Sequence, residues 1–361
     1  MNNIGARFSL MVGLFGILFS ALLLYQTWKS ARTQTDKMMD TQAKLALKFE
    51  TAIRDGRVLG RGTADNKAGI ACGLYTLALL RDQQLLDPSQ MKLILAGVVD
   101  EESGASSDLG VRYLLDSGRL NVDGAIYTYA RDIICIGHRG LLRLLLTARG
   151  QAIHSGSQEW SRQEGGVNAV TGLAAILLAL EDLDLPAPAH AAFAGLSCTV
   201  TPGTLFSGGE FESMVPATAE ALVDIRLMPG QPAQEVIDAV QQIIDGELSR
   251  RPGLSVTTSI KNSLPGAAIA ADHPLVSIAQ TQTQRWTGHA WTVAGAGPAN
   301  EGYMLIEAGI PTLCGFGPTG GNAHAPDEWV EIDSLGPTMA MYSGIIVDYC
   351  QTIKEHNAAN P

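Results

Sequence analysis

Residues 141–261 carry an alternation of strand-type and helix-type patterns that few folds can accommodate. Leu141 to Arg149 has the pattern of a strand, and a helical pattern over Val167 to Leu183 follows a loop rich in glycine and serine. Ala219 to Leu227 alternates apolar and polar residues, as a half-buried strand does. Ala233 to Leu248 has apolar residues at helical spacing. The order strand, helix, strand, strand, helix, strand predicts a small ferredoxin-like domain.

The segments on either side of this domain have the patterns of an α/β sheet. Lys67 to Arg81 is predicted to be a helix with one apolar stripe, and Val111 to Leu115 a shorter one. Met91 to Val99 is a nearly continuous apolar run, which predicts a strand buried on both faces of a sheet. Gly124 to Tyr129 is predicted to be another strand.

The length of the chain, 361 residues, suffices for two domains. We predict that residues 56–140 and 262–361 form one α/β domain and that residues 141–261 form a smaller domain inserted into it. The net charge of -11 argues against nucleic acid as a partner, because phosphate binding needs clustered lysine and arginine.

Residues 1–55 differ in kind from the rest of the chain. Residues 10–28 form an uncharged, largely apolar run near the lower length limit for crossing a bilayer. A signal peptide is the alternative, but a small-residue cleavage site is missing, and Trp28 with Lys29 is typical of a membrane interface. We predict a single transmembrane helix in the bacterial inner membrane, continued by an amphipathic helix to residue 55. A cytoplasmic location is the alternative.

Three polar clusters are candidates for chemistry. Asp65 follows a glycine-punctuated turn and precedes a helix, so it is either a functional carboxylate or an N-cap. Asp100, Glu101 and Glu102 follow the apolar run, and adjacent carboxylates repel one another unless a cation compensates them. His324 lies in a tight loop and, taken alone, could simply be an exposed histidine.

Seven motifs in order, from about Arg57 to about Asp348, resemble one family of zinc exopeptidases and deacylases. The family includes acetylornithine deacetylase, succinyl-diaminopimelate desuccinylase, glutamate carboxypeptidase and aminoacylase. The motifs are GRGTADNKAG, GVVDEESGA, IGHRG, ARGQAIHSGS, VPATAEALVDIR, GIPTLCGFGP and NAHAPDEWVEID. The resemblance implies an N-terminally truncated zinc-exopeptidase-like α/β domain with an inserted dimerisation lid, hence a homodimer. Residues 1–55 resemble instead the membrane entry of bacterial sensor proteins.

The resemblance also implies roles for particular residues. Asp65 resembles a carboxylate that bridges two metal ions and is followed by a cis peptide bond. Glu102 and His324 resemble metal ligands, and Glu101 the general base that deprotonates the attacking water.

Further roles concern the substrate. His154 resembles a histidine that polarises the scissile carbonyl across a dimer. Arg226 resembles the residue that binds the substrate carboxylate, and Asn300 and Gly297 are assigned to substrate binding by the same resemblance.

Two expected metal ligands are missing. The first 137 residues contain no histidine, although the family has an HxD motif there. The family also has an acidic residue soon after the strand at 124–129, where this chain reads Thr128-Tyr129-Ala130-Arg131. Asp132 is out of register. In the family both missing residues hold the same ion, so we expect one zinc ion, with cobalt or manganese as substitutes. The predicted activity is cleavage of an amide bond in an N-acyl amino acid or small peptide. The alternative is a catalytically weak or inactive binding module, tethered to a membrane.

Overall fold

A computed structural model describes residues 52–89, 91–103 and 108–359. The chain divides into two compact units. The first takes its described residues from Met1–Gly97, Thr128–Asp132 and Gly317–Cys350, and the second from Val98–Tyr127, Ile133–Phe316 and Gln351–Pro361.

The first unit is built on a small antiparallel sheet. Its strand order is β1-β2-β15-β14, with the bounds β1 (Ala52–Arg54), β2 (Arg57–Leu59), β14 (Gly320–Gly321) and β15 (Trp329–Glu331). Asp55 and Gly56 join β1 to β2 with φ angles of 50° and 75°, as a tight hairpin requires. The helix predicted to run to residue 55 is therefore wrong over its last residues, because residues 52–54 form a strand.

One helix of this unit packs against the part of the last helix that belongs to the same unit, up to Cys350. Helix α1 (Ala68–Asp82) confirms the helix predicted from Lys67 to Arg81. Its buried Cys72 and Thr76 approach the carbonyl groups of Leu335 and Met339 on the last helix of the chain, α8 (Ile332–Ala359).

The strand predicted over Met91–Val99 is wrong. None of the described strands pairs with these residues, which have no regular secondary structure. Leu95 is 37% exposed and Val99 64% exposed. An apolar run becomes a central strand only where neighbouring strands take its N–H and C=O groups on both sides, and the described residues provide no such neighbours.

The second unit contains a four-stranded antiparallel sheet of strand order β10-β5-β9-β7. Its elements in chain order are β5 (Gly140–Arg149), α4 (Ala169–Glu181), β7 (Thr199–Gly208), β9 (Thr218–Leu227), α5 (Ala233–Ser249) and β10 (Ser255–Leu264). Leu144, Leu173, Ile225 and Val240 are at most 1% exposed and represent the core between this sheet and the two helices. The ferredoxin-like order predicted from the sequence is present.

The second unit has further short elements. A three-stranded sheet has the order β11-β4-β12, and β13 pairs with β3. The strands are β3 (Ala125–Thr128), β4 (Ile134–His138), β6 (Ile153–His154), β8 (Met214–Val215), β11 (Ala267–Ala268), β12 (Val293–Ala296) and β13 (Thr312–Phe316). The helices are α2 (Val111–Asp116), α3 (Gln158–Ser161), α6 (Pro274–Thr287) and α7 (Gly302–Glu307). The elements α2 and β3 confirm the helix and the strand predicted there. The domain boundaries at residues 56, 141 and 262 stay predictions.

The fold prediction needs one correction. It included a transmembrane helix, yet none of the helices in the described part of the chain combines the length and the apolar character needed to cross a bilayer. The segment predicted to do so, residues 10–28, lies outside the described residues, as does the sequence that resembles a sensor protein up to residue 51. The predicted membrane contact and membrane location rest on that segment, and none of the described residues supports them.

Candidate metal centre

A buried glutamate fixes the turn that carries Asp65 through hydrogen bonds. The side chain of Glu328 accepts the backbone N–H groups of Gly62 at 2.7 Å, Ala64 at 3.0 Å and Asp65 at 2.9 Å. Glu328 is only 2% exposed. Gly62 enters the turn with φ 80°, a left-handed conformation that glycine adopts at little cost. Backbone N–H groups converging on one carboxylate fix the turn and compensate the buried charge.

The residue after Asp65 is fixed separately. The Asp65–Asn66 peptide bond is cis, as the resemblance predicted. The Asn66 side-chain amide donates to the carbonyl oxygen and to the hydroxyl of Thr128 at the end of β3. Helix α1 begins directly afterwards at Ala68. The carboxylate of Asp65 thus leaves a turn whose backbone is anchored at both ends.

His324 is the side chain that meets Asp65. Its Nε2 lies 3.0 Å from Oδ2 of Asp65, and the two side chains are 62% and 16% exposed respectively. The loop that presents this histidine has three non-glycine residues in the left-handed region, Asn322 at φ 57°, His324 at 64° and Asp327 at 57°. Such conformations are uncommon outside glycine and persist where surrounding contacts impose them. Here the Asn322 amide donates to the carbonyl oxygen of Asp327 at 3.3 Å, inside the loop.

A third side chain completes a potential ligand group. Glu102 lies in a short 3-10 turn, Glu101–Ser103, entered through Asp100 at φ 73°. Asp65, Glu102 and His324 each offer one ligand atom, and these atoms all lie within 4.8 Å of one another. Carboxylate oxygens and imidazole nitrogens are both zinc ligands, and catalytic zinc sites combine three protein ligands with an open position, so this group fits such a site in ligand type and number. Glu101 precedes Glu102 in the same turn, so the two side chains start from neighbouring backbone positions.

The remaining predicted residues are placed in the second unit. His154 is exposed on β6, and its Nδ1 accepts the N–H of Gly156 at 3.0 Å. The guanidinium of Arg226 donates to both oxygens of Asp224, at 2.8 and 3.4 Å. The amide of Asn300 is used inside the fold, since it donates to the Cys314 carbonyl and accepts the Gly302 N–H. Their roles toward a substrate stay predictions.

Gly297 lies beside a cation. A Cβ at this position would be 3.4 Å from a terminal nitrogen of Arg139, whose Nη1 donates to the carbonyl of Ser197 at 3.0 Å. Burial, and next the nearby Arg226, lower the pKa of Arg139. Because Gly297 has no side chain, there is space at this position next to the positively charged guanidinium of Arg139.

Two features bear on the missing ligands and on what the sequence did not reveal. Asp132 is exposed and does not belong to the ligand group found among the described residues. Glu328 had no role assigned, although it lies in the same motif as His324. The available signal was a glutamate next to Trp329 and Val330 at the start of a strand, where a buried carboxylate needs donors.

Comparison with known proteins shows which family the chain belongs to. The model of "Peptidase family M20/M25/M40" matches residues 35–348. An acetylornithine deacetylase of Proteus mirabilis (strain HI4320) is 28% identical over 315 residues, covering 84% of this chain and 74% of the relative.

Two solved structures share the fold. A tripeptidase from Staphylococcus aureus superposes with a TM-score of 0.66 at 20% identity, over 84% of this chain and 76% of the other. A dinuclear metal-binding peptidase from Bacillus subtilis gives 0.57 at 16% identity, over 79% and 72%. The family predicted from the sequence is confirmed: the chain is a metallohydrolase of peptidase family M20/M25/M40.

Proposed function

We propose that this protein uses one zinc ion to hydrolyse an amide bond in an N-acyl amino acid or a small peptide. The proposal is carried by the 3.0 Å approach of His324 to Asp65, on a turn that Glu328 holds in place. An imidazole and a carboxylate so arranged, with Glu102 close by, match a zinc site in donor type and number. When bound, the ion would act as a Lewis acid that makes a water molecule more acidic and polarises the substrate carbonyl.

The proton transfers fall to Glu101. Its position next to Glu102 supports a role as the base that takes a proton from the attacking water and returns it to the leaving nitrogen. His154, exposed on β6, would donate a hydrogen bond to the carbonyl oxygen as negative charge develops there. Asp65, Glu102 and His324 hold the ion and take no part in proton transfer.

A substrate that bears a free carboxylate is favoured by the charges around Arg226. Arg143 and Arg226 both donate to Asp224. Arg226 is also near enough to Arg139 to lower the pKa of Arg139. Three guanidinium groups around one carboxylate leave an excess of positive charge. An arginine with that excess behind it suits the α-carboxylate of an acyl amino acid or of a short peptide. The deacetylase and tripeptidase relatives point to the same two substrate classes.

The protein is proposed to act as a homodimer through the edge strand β7. This strand is last in its sheet, and Leu205 and Phe206 on it are 69% and 46% exposed. Phe211, just beyond the strand, is 71% exposed. A free edge with large apolar side chains tends to pair with another chain, and a second copy would also bring a second His154.

Metal content and turnover test the proposal. Purified protein should bind one equivalent of zinc, and the zinc-loaded protein should hydrolyse members of a panel of N-acetyl amino acids, dipeptides and tripeptides. Glu101→Gln should lower kcat by about 10²- to 10⁴-fold with zinc stoichiometry unchanged, and Glu355→Gln on α8 is the matched control. Two tightly bound equivalents would refute the single-ion site. Full zinc occupancy without turnover of any substrate would refute the hydrolase and favour the binding module.

A further inference from the structure

Glu301 is a fully buried acid that the proposed chemistry does not use. It lies directly before α7 and is 0% exposed. Neither of its carboxylate oxygens makes a hydrogen bond of good geometry in the described structure. A buried carboxyl group without well-formed hydrogen bonds lowers the stability of the fold. Packing of the core therefore does not account for an acid at position 301.

The carboxyl group of Glu301 lies where two ends of one chain segment meet. A Cβ built on Gly110 would be 2.7 Å from Oε1 of Glu301 and also 2.7 Å from the carbonyl oxygen of Val99. Only a glycine at 110 leaves room for this approach. Asp100 follows Val99 and leads into the turn Glu101–Ser103, and α2 begins immediately after Gly110. Glu301 is therefore close to both ends of the segment between Val99 and Gly110. This segment carries the proposed base, Glu101, and the proposed ligand Glu102.

The electrostatics around Glu301 agree with this placement. Burial raises the pKa of Glu301, the nearby Val111 N–H partly opposes that effect, and the Asp100 carboxylate raises the pKa further. Val111 is the first residue of α2, and Asp100 is the residue before Glu101. The raised pKa means that Glu301 reaches its neutral form at a higher pH than an ordinary glutamate, and the neutral acid has one O–H donor for a carbonyl and a free oxygen for an N–H group.

We infer that Glu301 is a positioning residue that fastens the Val99–Asp100 end of the segment to its Gly110–Val111 end, and so fixes where Glu101 and Glu102 lie. Glu301 contacts no substrate and acts through the backbone. Asp100, at φ 73°, holds an uncommon conformation directly before Glu101, and such a conformation needs support from its surroundings. This inference rests on the proposed function for its effect on turnover, but its effect on the segment itself does not.

The test compares Glu301→Ala and Glu301→Gln in the full chain, with Glu307→Ala as control. Glutamine keeps the shape, one acceptor and one donor, whereas alanine removes all three. Glu307 is on the same helix but is exposed and pairs with Arg112 at 3.8 Å, away from Val99 and Gly110. The readouts are hydrogen exchange of residues 98–103 and 108–111 without metal, zinc affinity by calorimetry, and kcat and KM.

Alanine should speed exchange in these peptides and weaken zinc binding by about 10- to 100-fold, with kcat lowered more than KM is raised. Glutamine should restore all three readouts, and Glu307→Ala should match wild type. If alanine abolishes folding, Glu301→Asp, which retains the acid but is shorter, should give the same pattern. Wild-type exchange and zinc affinity in the alanine or aspartate variant would overturn the inference, as would a well-folded glutamine variant as defective as alanine. Absence of turnover in wild type would count against the proposed function only, because exchange and zinc affinity would still decide the role of Glu301.

Discussion

The carboxylate of Glu328 accepts the backbone N–H of Asp65 at 2.9 Å, so a residue near the end of the chain sets the position of a carboxylate near its beginning. The same carboxylate takes the N–H groups of Gly62 and Ala64, and Arg61 lies 3.6 Å from it. His324, four positions earlier in sequence, meets Asp65 from the same part of the chain. The segment 324–328 therefore both supplies a proposed ligand and holds the turn that presents another.

Glu328→Gln should destabilise the protein by about 2 to 4 kcal/mol. The amide NH₂ of glutamine would face at least one of the N–H groups that now donate to Glu328, leaving a buried donor without an acceptor. Urea unfolding measures the loss, and zinc affinity should fall with it because Asp65 loses its support. Glu331→Gln is the control: Glu331 is 41% exposed and pairs with Arg57 across 3.4 Å, so its loss should cost at most about 1 kcal/mol. Equal stability of the two variants would contradict the role given to Glu328.

His324→Ala should separate metal binding from folding. The side chain is 62% exposed, so unfolding stability in the absence of metal should change by no more than about 0.5 kcal/mol. Zinc affinity should drop by more than about 100-fold, beyond the loss typical of residues outside the ligand shell. His289→Ala, also exposed, should retain wild-type affinity. Unchanged calorimetric zinc binding in His324→Ala would exclude this histidine as a ligand.

Much of the second unit could be predicted from local patterns because its elements bury one face each against a shared core. Apolar residues alternate along Thr218–Leu227 and recur at helical spacing along Ala233–Ser249. In both elements these residues form the side that packs into the core cluster around Leu144 and Ile225. Such periodicity depends on the segment itself. The proposed ligands, in contrast, lie in clusters that the local pattern marks only as candidates, since Asp65 also fits an N-cap and His324 an exposed histidine. The family motifs were needed to assign them as ligands.

The errors have a physical cause as well. The apolar run Met91–Val99 shows only that this segment could be buried. A strand also needs neighbouring strands to pair with, and the described residues offer none. The hairpin over Ala52–Leu59 was missed because its three-residue strands are too short to show a period. Glu328 was missed because its partners, at residues 62–65, are more than 260 positions away.

His138 should make stability fall in mild acid. It is 0% exposed, and burial lowers its pKa, although a contact between Nδ1 and the Arg139 carbonyl at 3.0 Å opposes part of that effect. The unfolded chain therefore binds more protons than the folded protein below the ordinary histidine pKa of about 6.5. The stabilising contribution is complete above that pH and is lost as pH falls below it, by at most about 1.4 kcal/mol per pH unit.

Unfolding free energies of wild type and His138→Asn at pH 7.5 and pH 5.5 measure this effect. The wild type should lose up to about 1.4 kcal/mol more than the variant between the two values, while the two should show the same slope between pH 7.5 and 8.5. The comparison removes every other titrating group that both proteins share. A variant that loses as much stability in acid as the wild type would show that His138 does not carry the effect.

Phe206→Glu should convert the proposed dimer into a monomer. The residue lies on β7, the edge of the sheet, where a charge beside the neighbouring Leu205 opposes burial against a second chain. Light scattering after gel filtration should give about twice the monomer mass of 38.2 kDa for the wild type and the monomer mass for the variant. Ile260→Glu places the same charge on β10, the opposite edge, where Ile260 is 55% exposed. A monomeric wild type, or dissociation of the Ile260→Glu variant in place of Phe206→Glu, would rule out β7 as the dimer edge. Since His154 is proposed to act across that dimer, loss of the dimer should lower kcat without changing zinc stoichiometry.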